Sequence, residues 1–457
     1  MVKLIGMLSR FNPVKVLVIG DFMLDTYTTG KVKRTSPEAP VSILHVQKEE
    51  SLPGGAGNVA LNLVSLGANV TAIGRIGCDM AGDELKEFLF KEGVDVKGII
   101  YQKGFKTPVK NRLIADSQQV LRVDFENISP LPEELEEQVL FSLKERLEDV
   151  QIIAISDYGK GFLTNPLLEA IISLAKERSI PVIVDPKGDD FSKYAGATMI
   201  KPNLSEAYAA AKLPQSTSLE KVAQNIFHSC KADMLLITRS EAGMSLFYKD
   251  GSFHNFPVRS KEVKDVTGAG DTVLAMISVT LANSIDIKFS AQLANIAAGI
   301  AIERLGCTRI TLSDMAERLL EYDVDNKIFD EEHLFALQQV LQGKKYCVLG
   351  LESHQGMSTA IFRSIRKLST ENPERKLIVY VRDSNPDEEF VSLLSSLAEV
   401  DFIVLKCESL KNLCEIIHPH QVYVMEKEGN LVLLDHAIAL LSQVKAVAKE
   451  SSLCELS

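Results

Sequence analysis

Residues 265–271 read DVTGAGD and run directly into TVLAMISVTLA, an apolar stretch of helical character. Peptide N–H groups at a helix start have no intrahelical acceptor, and small residues leave them open to an anion. Gly268, Ala269 and Gly270 could therefore hold a phosphate or a developing negative charge. Asp271 falls in the first turn, where the helix field favours its ionised form and makes it a base at neutral pH. A plainer reading has Thr267 capping the helix, the glycines making the turn and Asp271 complementing the dipole.

Three further segments carry chemistry. LPGGAGNVALNLVSLG (52–67) puts Gly54, Gly55 and Gly57 before a helix with Asn58 at its start, far downstream of the first strand. A dinucleotide turn would follow that strand directly, so a sugar contact from Asn58 across a glycine turn fits better. GDFMLD (20–25) places Asp21 and Asp25 at the carboxyl end of the first strand, where carboxylates accept from vicinal sugar hydroxyls. Either could instead form an Asx turn with its own backbone. KPNLSEAYAAA (201–211) holds Asn203 and Glu206, which read either as a capping box or as groups serving Mg²⁺ on nucleotide phosphates, Glu206 acting through water.

The elements that must position these residues follow from apolar runs. VKVLVIG (14–20), QIIAIS (151–156), PVIVDP (181–186) and DMLLIT (233–238) read as buried strands, with helical patterns at 58–67, 132–147 and 165–179 between them. This alternation predicts an α/β fold, a doubly wound and mostly parallel sheet with ligands beyond the carboxyl ends of its strands. Segments 39–52 and 107–126 break the pattern and read as extended ribbons forming a small β lid. After residue 322 the pattern changes: a linker and helix (323–343) lead to a smaller Rossmann-like α/β domain at 344–457, with strands at 344–350, 375–381, 399–405 and 420–426.

Bulk properties exclude several classes. The 457 residues carry a formal charge of -11, which gives no reason to expect nucleic acid. No apolar run approaches the roughly 20 residues of a membrane span, so no membrane insertion is expected. Seven cysteines without a CxxC pair and eight dispersed histidines argue against a disulfide framework or a zinc site. The sequence predicts a cytoplasmic protein.

Taken in order, GDFMLD, PGGAGN, GRIGCDMAG (74–82), PNLSE and DVTGAGD resemble the ribokinase-like carbohydrate kinase family over about 300 residues. Within that family RTSPEAPV (34–41), DSQQVLRVDFE (116–126), SDYGKGFL (156–163), DPKGDDFSKYAGAT (185–198) and TRSEAGMSLF (238–247) resemble the heptose kinase subgroup of lipopolysaccharide core synthesis. The resemblance implies ATP-dependent phosphorylation of D-glycero-D-manno-heptose 7-phosphate at O1, in the 1–322 domain. By it, Asp271 is the base, Gly268, Ala269 and Gly270 stabilise charge, and Asp25, Gly55 and Asn58 bind the sugar. Arg112, Arg122, Lys160 and Lys187 are candidates for the 7-phosphate; Asn203, Glu206, Thr238, Gly243 and Asn295 serve the Mg-nucleotide. Asp265 begins the loop where relatives that respond to potassium bind it, and the lid suggests a homodimer. Another sugar or phosphosugar, a bifunctional kinase/adenylyltransferase, and a non-catalytic sugar-nucleotide scaffold are the alternatives.

The second domain departs from the adenylyltransferase expected of the bifunctional subgroup. Its first strand should lead into a GxFDxxHxGH-type motif, and here it leads into GLESHQGMSTAIF (350–362), with His354 alone. A nucleotidyltransferase fold that has lost its active site is the expectation.

Overall fold

The computed structural model describes residues 4–116, 118–258, 263–322, 327–426 and 430–434. The chain divides into two compact units, residues 11–311 and residues 1–10 with 312–457. The division falls eleven residues before the expected one at 322, counting 312 to 322. The helix Leu312–Tyr322 buries Met315, Ala316 and Leu319 and packs on the helix Leu334–Leu341, and the N-terminal turn Leu4–Arg10 packs on both.

In the larger unit nine strands form one sheet. Their order is Phe253–Phe256, Met244–Tyr248, Met234–Thr238, Met199–Ile200, Val182–Asp185, Ile152–Ser156, Lys15–Gly20, Asn69–Gly77 and Asp95–Gln102. The last seven run parallel, and the first two add antiparallel at one edge. Parallel strands covered on both faces have no wet side, which is why VLVIG and IIAIS are unbroken apolar runs. Helices Glu133–Arg146, Asn165–Glu177, Leu204–Ala211 and Leu219–Cys230 contribute to one core with Leu17, Ile19, Ile153 and Ile155. Helices Ala56–Ser65 and Ala269–Ala282 pack together and are almost wholly buried.

A separate four-stranded sheet, in the order Ser42–Gly55, Phe22–Thr35, Val109–Ala115, Gln118–Phe125, is the lid. Both expected ribbons are in it. The strand Phe22–Thr35 was not expected, and it leaves the main sheet after Gly20 with only Asp21 between.

Asp21 and Arg75 fix the turn that follows strand Ile152–Ser156. Asp21 is buried and accepts from the backbone N–H groups of Tyr158 and Lys160, both at 3.0 Å, and of Phe162 at 3.4 Å. Of the two readings left open for this carboxylate, neither holds: it serves a distant turn rather than a sugar or its own backbone. Arg75 is 2% exposed, donates to Lys160 O at 2.7 Å and to Ser129 O, and reaches Gln102 Oε1 at 2.8 Å. Burial pushes its guanidinium down to about 10, with Asp21 acting in the opposite direction.

The smaller unit has a six-stranded sheet among its described residues, in the order Ile328–Phe329, Phe402–Val404, Lys376–Val381, Tyr346–Leu351, Gln421–Met425, Leu431–Leu434. All neighbours pair in parallel except the last two strands. Leu349, Ile361, Ile365, Val379, Phe390 and Leu394 lie at its core. The four expected strands are present. Ile328–Phe329 and Leu431–Leu434 are additions, and residues 435–457 lie outside the described set.

Replacing Arg75 by Ala would leave two partly buried carbonyls without their donor. We expect a loss of roughly 3 kcal/mol of stability, read as a lower denaturant midpoint for the larger unit; an unchanged midpoint would show that the turn does not depend on Arg75.

Candidate active site

The helix Ala269–Ala282 starts from Gly268, whose φ of 77° lies in the left-handed region that favours glycine. A Cβ on Gly268 would also sit 2.7 Å from Asn58 Nδ2. Thr267 does not cap the helix, because its hydroxyl donates to Asp265 Oδ1 at 2.7 Å. Ala269 and Gly270 line a cavity, although the Ala269 N–H is already turned to Val266 O at 3.3 Å.

Asp271 is 2% exposed and receives two hydrogen bonds. Asn58 Nδ2 donates to Oδ2 and the Tyr158 hydroxyl to Oδ1, each at 2.8 Å. The helix field was expected to hold this carboxyl ionised at neutral pH. Burial outweighs it: the group is pushed up to about 7, with Asp185 acting in the same direction and the Asn58 and Tyr158 bonds and Lys201 acting against it. Asp271 therefore titrates near neutrality, the range in which a general base is most effective.

Asp25 lies on the lid strand Phe22–Thr35, is buried, and forms an ion pair with Arg112. Its Oδ2 also lies 3.6 Å from Cys307 Sγ, and Gly54 leaves room for it, since a Cβ there would come within 2.0 Å of that oxygen. Cys307 in turn lies against Gly268, where its Sγ would be 3.5 Å from an added Cβ. Asp25, Gly55, Asn58 and Asp271 are thus brought to the same end of the sheet, where the lid joins it.

Strand register explains the cations. Arg112 faces Arg122 across the antiparallel pair, and Lys110 faces Asp124, so all four side chains share one face of the lid. Arg122 grips Asp124 at 2.8 and 2.9 Å, and Lys160 pairs with Glu126 at 2.5 Å. Lys110 lies 5.1 Å from the centre of the Tyr158 ring, and burial holds its ammonium below the ordinary value. Lys110, Arg112, Arg122 and Lys160 against Asp25, Asp124 and Glu126 make four cations and three carboxylates, an excess of one positive charge. The fourth expected cation, Lys187, is elsewhere: it pairs with Glu206 at 2.8 Å on the wall of the cavity.

That cavity has a volume of about 600 Å³ and is lined by Asn203, Glu206, Thr238, Gly243 and Asn295 together with Asp185 and Lys201. Asn203 and Glu206 do form the capping box: Asn203 Oδ1 accepts from Glu206 N at 2.9 Å and Glu206 Oε2 from Asn203 N at 3.1 Å. Asn295 donates from Nδ2 to Pro257 O at 2.8 Å, and its buried Oδ1 has no hydrogen-bond partner among the described residues. Lys201 is buried and pairs with Asp185 at 2.9 Å; burial raises Asp185, and Lys201 lowers it. Asp265 is spent within its loop, accepting from Thr267 N at 2.9 Å, the Thr267 hydroxyl and Gly306 N at 2.9 Å. Burial pushes Asp265 upward, but those bonds outweigh it and the carboxyl stays below its usual range.

Tyr158, Lys110, Lys201 and Asp185 were not singled out from the sequence. Lys201 had a signal of its own, a charge ending the apolar run ATMI, and Asp185 ends VIVD in the same way. Tyr158 had none, because its partner is 113 residues away.

Residues 14–314 match the pfkB family carbohydrate kinases. The chain is 44% identical over 333 residues to the bifunctional protein HldE of Trichlorobacter lovleyi, covering 72% of this chain and 68% of that protein. It is 37% identical over 457 residues to HldE of Wolinella succinogenes, covering 92% of each. Among solved structures, Escherichia coli phosphofructokinase-2 in complex with potassium superposes with a TM-score of 0.56 at 20% identity, over 68% of this chain and 98% of that one. Arabidopsis thaliana ribokinase complexed with ribose and ATP gives 0.54 at 18% identity, over 67% and 98%. Those two likenesses carry the ribokinase-like fold, and the sequence match carries the rest: the chain belongs to the pfkB family, an ATP-using carbohydrate kinase.

Proposed function

We propose that the protein transfers the γ-phosphoryl group of ATP to O1 of D-glycero-D-manno-heptose 7-phosphate, giving the 1,7-bisphosphate for ADP-heptose and lipopolysaccharide core synthesis. The observation that carries this reading is the excess of positive charge on the lid face beside Asp25, facing the sugar end of the site. A neutral sugar has no use for Lys110, Arg112, Arg122 and Lys160 together; a phosphosugar does. The relatives named HldE support the heptose as acceptor.

In this reading the sugar lies between Asp25, Gly55 and Asn58, with its anomeric hydroxyl at Asp271. Asp271 takes the proton as O1 attacks the γ-phosphorus, and the bond to the β-phosphate oxygen breaks to release ADP. The helix start at Gly268, Ala269 and Gly270 stabilises the charge on the transferring group. ATP occupies the 600 Å³ cavity, with Lys187, Lys201 and Asn295 on its wall. Asp185 and Glu206 are hard oxygen donors on that wall and fit Mg²⁺, Glu206 through water because both its oxygens are engaged. The ion would neutralise phosphate charge. The Asp265 carboxylate, with three donors on it, does not fit a direct potassium ligand. We place the reaction in the cytoplasm, where ATP is available.

Two further readings complete the proposal. The smaller unit retains a parallel sheet without adenylyl transfer, since His354 lies between Glu352 at 3.3 Å and Asp383 at 3.4 Å and no second histidine follows it in GLESHQGMSTAIF. The protein forms a homodimer through the lid, whose Val46, Val120 and Leu121 are 57%, 60% and 55% exposed.

The kinase is tested by ³¹P NMR with ATP, Mg²⁺ and heptose 7-phosphate. A new anomeric phosphate signal is expected, and Asp271→Asn should lower turnover by roughly 10² to 10⁴ with the KM for ATP little changed. Because the base must be deprotonated, kcat/KM should fall as pH drops below about 7. Phosphorylation of other sugars but not the heptose would move the acceptor, and full activity of Asp271→Asn would remove the base. Heptose 1-phosphate and ATP should give no ADP-heptose; its appearance would restore the bifunctional reading. Light scattering should give a dimer mass, lowered to a monomer by Leu121→Glu; a wild-type monomer would dismiss pairing through the lid.

A further inference from the structure

Asn58 must present its nitrogen, not its oxygen, to Asp271, and amide orientation is decided by the hydrogen bonds around it. The chain that decides it begins at a backbone group. The Ile310 N–H, which can only donate, reaches Asn62 Oδ1 at 3.1 Å. With its oxygen committed, Asn62 has only its Nδ2 to turn to Asn58, where it donates to the backbone oxygen at 3.0 Å and to Oδ1 at 3.2 Å. Asn58 Oδ1 is then the accepting end of that amide, and Nδ2 is left to donate to Asp271 Oδ2 at 2.8 Å. Every amide in this series is buried, Asn62 completely and Asn58 to 1% exposure. Asn62 has no surface open to solvent.

We infer that Asn62, which is too deeply buried to touch sugar or nucleotide, is a positioning residue that sets the polarity of Asn58 and so supplies Asp271 with a donor. The inference rests on Asp271 as the base of the proposed reaction. Asn62 lies one turn beyond Asn58 on the helix Ala56–Ser65, so the two side chains share a face. Ile310 follows the segment that brings Cys307 to Asp25. The relay thus ties the segment after helix Ile287–Ile302 to the orientation of the base.

Loss of the relay has a definite sign. The groups acting on Asp271 are Asn58 and Tyr158, which donate to it, Lys201, which favours its ionised form, and Asp185, which opposes it; Cys307 lies nearby as a thiol whose own ionisation is suppressed. Removing the Asn58 donor leaves the remaining groups in place and raises the pH at which Asp271 becomes a base. An Asn58 turned the other way would aim an oxygen at a carboxylate oxygen, which repels it.

The test is the pH profile of kcat/KM for Asn62→Leu beside wild type, Asn58→Asp and Asp271→Asn, with thermal melts on each. Asn62→Leu should lose about 10²-fold in kcat, shift the acidic limb of the profile to higher pH, and keep the KM for ATP. Asn58→Asp, which keeps the acceptor for Asn62 but not the donor, should shift the limb in the same direction. Should Asn62→Leu not fold, Asn62→Ser replaces it with the same expectation. A folded Asn62 variant with an unshifted limb overturns the relay, whether or not its kcat falls. An active Asp271→Asn would instead overturn the base itself, which keeps the two failures apart.

Discussion

Everything around the start of helix Ala269–Ala282 depends on keeping one carboxylate buried and still able to ionise. Asp271 is 2% exposed at the start of a helix that is itself buried along most of its length. Burial alone would hold it protonated, because a carboxylate in an apolar setting loses its hydration. The helix start, Lys201 and two donors work against that cost, and the balance falls near neutrality. A weaker set would leave an acid. A more exposed position would leave an ordinary carboxylate, fully ionised and only weakly basic at neutral pH.

The donors are themselves held by distant structure. Tyr158 sits on a turn whose backbone is gripped from below by Asp21, through three N–H groups, and by Arg75, through Lys160 O and Ser129 O. The same turn carries Lys160, so the group that tunes the base and one cation of the lid cluster move together. Asp21 also stands between the strand Lys15–Gly20 and the lid strand Phe22–Thr35, which brings Asp25 and its partner Arg112. One acidic residue at a strand end therefore fixes the meeting of the main sheet and the lid.

Much of this frame could be read from the sequence, and the reasons for the misses are physical. Strands buried on both faces, such as VLVIG and IIAIS, announce themselves because nothing polar is tolerated in them. The glycine loops are legible because only glycine takes the backbone conformation of Gly268 or leaves room for Asp25 beside Gly54. The lid strand Phe22–Thr35 was missed because the buried positions in TYTTGKVKRT are Thr26, Thr28 and Gly30, so the stretch carries no apolar signature even where it is buried. Tyr158, Lys110 and Lys201 could not be found by spacing, since each acts on a partner brought near only by folding, and Asn62, though one turn from Asn58, is fixed by Ile310 at 248 residues' distance; the Tyr158 and Asp271 pair is separated by 113 residues and the Asn58 and Asp271 pair by 213. The division at 311 and 312 could not be read from the sequence either, because the helix Leu312–Tyr322 joins the smaller unit through its packing on Leu334–Leu341.

The two units show how differently a fold and its chemistry are secured. In the smaller one Leu349, Val379 and Phe390 supply a core as apolar as that of the kinase, and the parallel pairing from Ile328–Phe329 through Gln421–Met425 needs nothing more. The loop after the strand Tyr346–Leu351 is tied down by Asp387 N on Ser353 Oγ at 3.0 Å, with His354 held by Glu352 and Asp383. Those bonds stabilise the loop without requiring a second histidine, so the sheet persists whatever stands there. In the kinase unit the reverse holds. Asn58, Asn62 and Asp271 are polar groups buried at a cost that packing alone would not justify, and they are satisfied by one another, by the Tyr158 hydroxyl and by backbone groups. A core that needed only packing would take apolar residues of the same size at these places, whereas these three are bonded together around a carboxyl that burial pushes up to about 7.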